Sequence, residues 1–196
     1  MNIIFAIFCG YLLGSIPFGY LVVQKLKGLD IRKHGSGNTG FTNVYRIAGL
    51  LPGLIVLMGD LGKGVVAVLI GQWFGGEWAG VICGLTSMLG HNWSIFLNFT
   101  GGRGVATGAG VFFALAPKVL LITSLIWITV IILTKYVSLG SIMGAISVPI
   151  LMLIFHESAL LTSFGLVAAG FVIYRHLPNI KRLLAGTEYK FGQKHH

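Results

Sequence analysis

The spacing of its apolar runs constrains this chain more than any other feature. They fall at roughly 2–24, 48–73, 78–98, 105–117, 119–134, 138–155 and 158–175, with short polar breaks between them. A helix that crosses a bilayer needs about 20 apolar residues. The expected fold is therefore all-α, a polytopic transmembrane helix bundle of seven spans. The fourth run, VATGAGVFFALAP, is short, and is read as tilted or buried in the bundle; merging it with its neighbour would leave six. Pro117 between the fourth and fifth runs favours a turn there. Charged residues make up only 10% of the chain, against about 25% in a soluble domain, so a water-soluble globule is excluded. With no soluble segment, low-complexity tract or clear internal repeat, residues 1–196 read as a single integral membrane domain. The first run shows no small-residue cleavage site with a mature domain after it and reads as a retained span. Cys9 and Cys83 both lie inside apolar runs, which suggests neither a disulfide framework nor a metal site.

The formal charge of +9 is compatible with nucleic acid, an anionic membrane surface or an anionic substrate. Nucleic acid is set aside because the cations sit at the ends of apolar runs, not on one soluble face. Under seven spans, Lys25, Lys27, Arg32, Lys33, Arg46, Arg103, Lys135, Arg175, Lys181, Arg182, Lys190 and Lys194 share one side. Lys118, Glu77 and Glu157 fall on the other. The positive-inside rule then predicts a cytoplasmic cation-rich side, an external N-terminus and a cytoplasmic C-terminus. Six spans would put the tail cations outside.

Three polar islands gather on that predicted cytoplasmic face. The first, KHGSGNTGFTNVYR, holds Gly35, Gly37 and Gly40. Its GSGNTG matches G-x-G-x-x-G, with Asp60 twenty residues beyond Gly40, but no βαβ unit surrounds it and Asp60 lies in an apolar run, so a dinucleotide site is rejected. Glycines let backbone approach a ligand, and successive N–H groups can form an anion nest. Ser36, Asn38, Thr39 and Asn43 add donors, and Arg46 a fixed cation suited to phosphate. A solvated, positive-inside loop is the alternative. The second island, GHNWSIFLNFTGGRGVATG, sets Gly101, Gly102, Arg103 and Gly104 before a short helix, the arrangement of an anion site at a helix N-terminus. Trp93, Phe96 and Phe99 read either as acyl-contacting or as belt aromatics. His91 is either a base or a hydrogen-bonded bundle histidine. The third island, YRHLPNIKRLLAGTEYK, places Arg175, His176 and Asn179 at the end of the last span, followed by a short amphipathic helix with Lys181 and Arg182 near headgroups. Within the second run, Asp60 and Lys63 stand at i, i+3 and can face each other, as a structural ion pair or a substrate-linked one.

Taken together, GSIPFG at 14–19, GSGNTGFTN at 35–43, GDLGKG, GH…F…F.GGRGVATG at 90–108, KYVSLGS at 135–141 and RHLPNIKRLLAGTE at 175–188 resemble the bacterial membrane-integral acyl-phosphate:glycerol-3-phosphate acyltransferase family across nearly the whole chain. Ser94 stands where that family often has proline, and Thr100 and Arg103 where lysine is usual. The resemblance implies an enzyme of phospholipid biosynthesis in the bacterial cytoplasmic (inner) membrane, with its active site facing the cytoplasm. It would transfer a fatty acyl group from acyl phosphate to the 1-hydroxyl of glycerol 3-phosphate, giving lysophosphatidic acid and phosphate. No cofactor, no metal, and no direct need for acyl carrier protein or coenzyme A are implied; membrane lipids are the other partners. It implies catalytic roles for Ser36, Asn38, Arg103 and His176. Substrate binding falls to Gly35, Gly37, Gly40, Asn43, Arg46, Gly101, Gly102, Gly104, Thr107, Ser138 and Asn179, and Asp60, Lys63, His91 and Glu188 are candidates for support.

Attack on the donor carbonyl builds negative charge that Arg103 and backbone N–H groups can stabilise. A base is harder to find. The His-x4-Asp pattern of glycerolipid acyltransferases follows none of the histidines, and with five acidic residues no His–Asp pair is evident. The family reading is that the donor phosphate takes the proton, with His176, His91 and Asp60 as fallbacks. An anion transporter is the competing class; it would place its polar residues near the midplane, often in paired halves.

Overall fold

The computed structural model describes residues 3–192 and contains no strand among them. Residues up to Leu115 form one compact unit, and those from Ala116 a second.

In the first unit, α1 (Ile3–Ser15) and α2 (Phe18–Lys27) are separated by a break at Ile16 and Pro17. Proline brings no backbone N–H to continue the helix. The loop from Gly28 contains a short 3-10 turn (Ile31–Lys33) and leads into α3 (Phe41–Ala48). α4 (Leu50–Asn92) is 43 residues long, but Gly75 and Gly76 inside it are not helical, and Gly76 has φ +67°. Beyond the break the chain doubles back: a Cβ on Gly71 would strike the Ala79 carbonyl, and one on Gly84 would press on Val68. α4 is thus an antiparallel helical hairpin with an exposed tip at Trp73, Phe74, Glu77 and Trp78. Both its ends, and so both loops that flank it, lie at the opposite end of the unit.

α1 runs parallel to the second arm. Gly10 lies against Cys83, Gly14 against Ser87, and Gly90 against Tyr11 and Ser15, each so close that a Cβ would collide with backbone. Small residues spaced this way let apolar helices approach until backbone touches backbone. Tyr11 donates to the Trp93 carbonyl at 2.7 Å, and Cys83 to that of Ala6 at 3.2 Å. α5 (Val105–Leu115) crosses the first arm, where Gly64 and Gly110 admit the opposing backbones of Thr107 and Leu61.

The second unit holds α6 (Pro117–Thr134), α7 (Val137–Ile154), α8 (Ala159–Arg175) and α9 (Leu177–Leu184). Pro117 opens α6, where its missing N–H costs nothing. Lys135 closes it in a left-handed conformation. Ser158 caps α8 by accepting from the Leu161 N–H at 3.2 Å. Trp127 donates to Ser141 at 3.3 Å, and the hydroxyls of Thr123 and Ser147 meet at 3.3 Å. Such interhelical bonds in lipid contribute about 0.6 kcal/mol each.

Four helical stretches are long and apolar enough to cross a membrane: Ile3–Lys27, Leu50–Asn92, Pro117–Thr134 and Val137–Ile154. α8 and α9, bent by 56°, make a fifth if taken together. The chain is a multi-pass membrane protein. The runs expected at 48–73 and 78–98 are the two arms of α4, and the short run at 105–117 is the 11-residue α5. The expected amphipathic segment in the tail is α9, with Lys181 exposed and Arg182 half-buried. Part of the first expected span, residue 2, and the tail cation Lys194 lie outside the described residues.

Candidate active site

The first island is a loop built around one buried amide. Asn43, 1% exposed, accepts from the Ser36 N–H at 3.0 Å and donates to the carbonyls of His34 and Asn38 at 3.0 and 2.9 Å. Its oxygen also takes the Arg46 guanidinium at 3.4 Å. Gly35 (φ +59°) and Gly37 (φ +71°) supply the left-handed turns that wrap the chain round it. A Cβ on Gly35 would collide with the Asn43 oxygen. Asn43 therefore shapes the loop, whereas the half-buried side chains of Ser36 and Asn38 form no hydrogen bond among the described residues.

Arg32 joins this island to the second. It grips Asp30 through Nε–Oδ1 (3.0 Å) and Nη2–Oδ2 (2.8 Å), lies over the Tyr20 ring at 5.4 Å, and reaches the Leu97 carbonyl and the Thr100 hydroxyl, both at 3.4 Å. The hydrogen bond from Arg32 holds the Asp30 carboxyl at about 2, below its ordinary 3.8. Thr100, where the resembled family usually has lysine, thus has a guanidinium beside it. Ser94, where proline is often found, is buried; it donates to the Ser15 carbonyl and caps the 3-10 turn Ile95–Leu97. Phe96 and Phe99 are about 60% exposed on this hairpin-like loop.

The GGRG turn folds back on the end of α4. The Gly102 N–H donates to the His91 carbonyl at 3.0 Å, and a Cβ on Gly102 would collide with His91 Nε2. Gly104 (φ +81°) leads into α5 and lies against the Asn92 side chain, where a Cβ would come within 3.1 Å of the amide oxygen. Asn92 is fully buried, and neither of its amide atoms has a hydrogen-bond partner among the described residues; nor does the Thr107 hydroxyl just inside α5. Arg103 is half-buried.

Behind the loops lies a buried charge cluster. Asp60 Oδ1 meets Lys63 Nζ at 2.8 Å and His91 Nδ1 at 3.4 Å. Lys63 also donates to the Ile16 carbonyl at 2.9 Å, in the α1–α2 break. The sequence showed no His–Asp pair, yet the hairpin of α4 creates one from residues on opposite arms. A small cleft is lined by residues 14–19, Thr39, Asp60, Lys63, His91, Ser94, Leu97 and Gly101, so the first two islands share a cavity. Gly40, by contrast, caps α3 with ordinary backbone angles.

In the second unit the tail is organised by Glu188, a buried carboxylate. Its Oε1 accepts from Ser138 (2.9 Å) and from the Asn179 amide (2.7 Å), and its Oε2 from Arg182 Nε (2.7 Å). His176 is 2% exposed, with Nδ1 2.7 Å from the Val172 carbonyl. Arg182 also stacks on Tyr189, and the Phe191 N–H donates to the Lys135 carbonyl at 2.7 Å. Ser138 and Asn179, expected to bind substrate, are held by Glu188, and the Asn179 oxygen is buried without a partner among the described residues.

Residues 4–186 match the family model for glycerol-3-phosphate acyltransferase. The chain belongs to that family. It is 52% identical over 189 residues to glycerol-3-phosphate acyltransferase 2 of Moorella thermoacetica, covering 96% of this chain and 97% of the relative. It is 46% identical to the glycerol-3-phosphate acyltransferase of Carboxydothermus hydrogenoformans, covering 98% of each. Two solved structures of PlsY, an integral membrane glycerol 3-phosphate acyltransferase, share 41% identity with this family member and cover 97% of it. The glycerol 3-phosphate form superposes with a TM-score of 0.92 over 96% of that chain, and the lysophosphatidic acid form with 0.90 over 95%.

Residues missed by sequence reasoning include Asn92, Ser15 and Arg32 as a bridge between islands. Asn92 adjoins His91 in the GHNW motif, and that adjacency was the available signal.

Proposed function

We propose that this protein transfers a fatty acyl group from acyl phosphate to the 1-hydroxyl of glycerol 3-phosphate. The observation that carries the reading is the small cleft at which Thr39 of the glycine loop and Gly101 of the GGRG turn meet, in a chain of this family. Both substrates are phosphorylated, and each loop is rich in glycine with an arginine close by: Arg46 in one, Arg103 in the other.

The 1-hydroxyl oxygen bonds to the donor's carbonyl carbon as the bond from that carbon to the bridging phosphate oxygen breaks. Lysophosphatidic acid forms, and phosphate leaves with the bridging oxygen. Arg103 and backbone N–H groups stabilise charge developing on the carbonyl and phosphate oxygens. Such preorganised donors are worth about 10²–10³ in rate each. The donor phosphate, with a pKa near ~6 like that of a phosphoserine, accepts the hydroxyl proton. Ser36 and Asn38 orient the reacting groups, with Gly35, Gly37, Gly40, Asn43 and Arg46 shaping or lining a phosphate subsite. Gly101, on the cleft, with Gly102, Gly104 and Thr107 behind it, serves the second substrate subsite. In the second unit His176 takes a catalytic role, and Ser138 and Asn179, held by Glu188, bind substrate.

The acyl phosphate donor makes acyl carrier protein and coenzyme A unnecessary as direct donors, and no cofactor or metal takes part. With each arm of α4 counted separately, and with α5 and α8 as spans, the chain crosses the inner membrane seven times. Its N-terminus is then external, and its C-terminus and reacting face are cytoplasmic. The N-terminal end of α1 and the Glu77 tip share one end of the first unit, and the cationic loops lie at the other, as this orientation requires.

Purified protein given glycerol 3-phosphate with acyl phosphate, acyl-coenzyme A or acyl carrier protein tests the reading. Lysophosphatidic acid and an equal amount of phosphate are expected from acyl phosphate alone. Product from a thioester donor would replace the donor assignment. Glycerol 3-phosphate flux into liposomes without any product would indicate a transporter.

A further inference from the structure

The buried cluster of Asp60, Lys63 and His91 is not consumed by the reaction as proposed, yet it touches both the α1–α2 break and the GGRG turn that line the cleft. Ionised side chains within a bundle are costly, so they persist where they are paired and have a task. The ion pair alone would be complete with Lys63 on Asp60. Instead Asp60 Oδ1 is shared with His91 Nδ1, and His91 also meets the glycine turn. Its carbonyl accepts the Gly102 N–H at 3.0 Å, and its Nε2 edge occupies the space where Gly102 would carry a Cβ. Gly101 lies against the carbonyls of His91 and Asn92. Two of the three glycines in GGRG are thus fitted to one histidine, and that histidine is oriented by one carboxylate.

We propose that Asp60 is a positioning residue for acyl transfer: it fixes the His91 ring with Nδ1–H toward the carboxylate, and the fixed ring holds the Gly101–Gly102 turn that places Arg103. The proposal rests on the acyl-transfer reading for its kinetic consequences but not for its structural one. A carboxylate accepts hydrogen bonds and cannot donate them, so the nitrogen facing Asp60 carries the proton. Nε2 faces the turn. Lys63 neutralises Asp60 and ties it to the α1–α2 break, so the carboxylate itself is held from two sides.

The tautomer can be read directly by nitrogen NMR of ¹⁵N-histidine-labelled full-length protein in lipid nanodiscs, with the His91 signals identified by their loss in His91→Gln. The wild type should show His91 protonated at Nδ1, and Asp60→Asn should shift that proton toward Nε2 or give a mixture. A wild-type ring without a proton on Nδ1, or an unchanged ring in Asp60→Asn, overturns the proposal, and this holds whether or not the protein makes lysophosphatidic acid.

The kinetic arm asks whether Asp60 acts through His91. Asp60→Asn should lower kcat by roughly 10²-fold, the scale of a misplaced reacting group, but by less than about twofold when introduced into His91→Gln. Equal losses in both backgrounds would mean that Asp60 acts elsewhere. Because Asp60→Asn strands a buried Lys63, Asp60→Asn/Lys63→Met serves as the second variant. It removes the charges together and should fold, yet remain slow. Recovery to the wild-type rate would reduce the cluster to a structural ion pair. A wild type without lysophosphatidic acid synthesis would count against the acyl-transfer reading and leave the tautomer result to decide the proposal.

Discussion

The two units hold polar side chains in a membrane protein by different means. In the first, neutral amides and backbone do most of the work: Asn43 closes one loop, and the GGRG turn rests on His91 and Asn92. In the second, a single carboxylate, Glu188, gathers a hydroxyl, an amide and a guanidinium. The difference follows from what each region offers a ligand. A loop that is to bind an anion through N–H groups is weakened by a carboxylate beside it, since like charges repel, whereas neutral amides shape it without cost to its field. The carboxylates near these loops are paired, Asp60 with Lys63 and Asp30 with Arg32. Glu188 likewise is balanced by Arg182.

The comparison predicts a graded series of losses. Arg103→Ala should reduce kcat by about 10²–10³-fold. Arg103→Lys should keep much of the rate, because it restores the charge where the resembled family usually carries lysine. Steady-state rates of lysophosphatidic acid formation check both. An Arg103→Ala protein at near-normal rate would remove the residue from the mechanism.

Asn43→Ala leaves an N–H and two carbonyls of the loop without their partner. These groups are only part-buried and water can meet them in part, but the loop loses the amide that closes it, so it should open and kcat/KM for glycerol 3-phosphate should fall by roughly 10–100-fold. If only thermal stability changed and kcat/KM did not, the loop's shape would be irrelevant to binding.

Glu188→Gln keeps an oxygen for Ser138 and Asn179 but removes the partner charge of Arg182. Charge-assisted hydrogen bonds of this kind contribute about 1.5–3 kcal/mol. A lower melting temperature is expected, with a smaller rate loss than Asn43→Ala. A larger rate loss than Asn43→Ala would invert the comparison and put the decisive chemistry in the tail.

The smallest effects separate packing glycines from idle ones. Gly64→Ala drives a methyl into the Thr107 backbone at the crossing of α4 and α5 and should cost about 1–3 kcal/mol. Gly62→Ala, two residues away, meets nothing within 4 Å and should be neutral. Unfolding in detergent would show both.

Much of this was legible in the sequence. Runs of apolar residues mark helices because the bilayer leaves the backbone no other way to satisfy its hydrogen bonds, and α6, α7 and α8 fall within about two residues of the expected segments. The loops were recognisable from glycine, amide and arginine crowding outside those runs. What escaped was set by tertiary contact. Nothing local shows that Asp60 will meet His91, because the meeting depends on the Gly75–Gly76 break that folds α4 on itself. That Asn43 also ties the loop together was not visible, because an amide that shapes a loop and one that binds a phosphate have the same composition. The roles of Ser138 and Asn179 depend on Glu188, distant from Ser138 in sequence and close only after the tail folds back along α7.

Hydrogen–deuterium exchange of the purified protein with and without glycerol 3-phosphate tests the central claim most directly, because the claim concerns backbone N–H groups. Saturating ligand should slow exchange at residues 35–40 and 101–105, with little change along α6. Unchanged exchange in both loops at saturation, with protection arising elsewhere in the chain, would contradict the account.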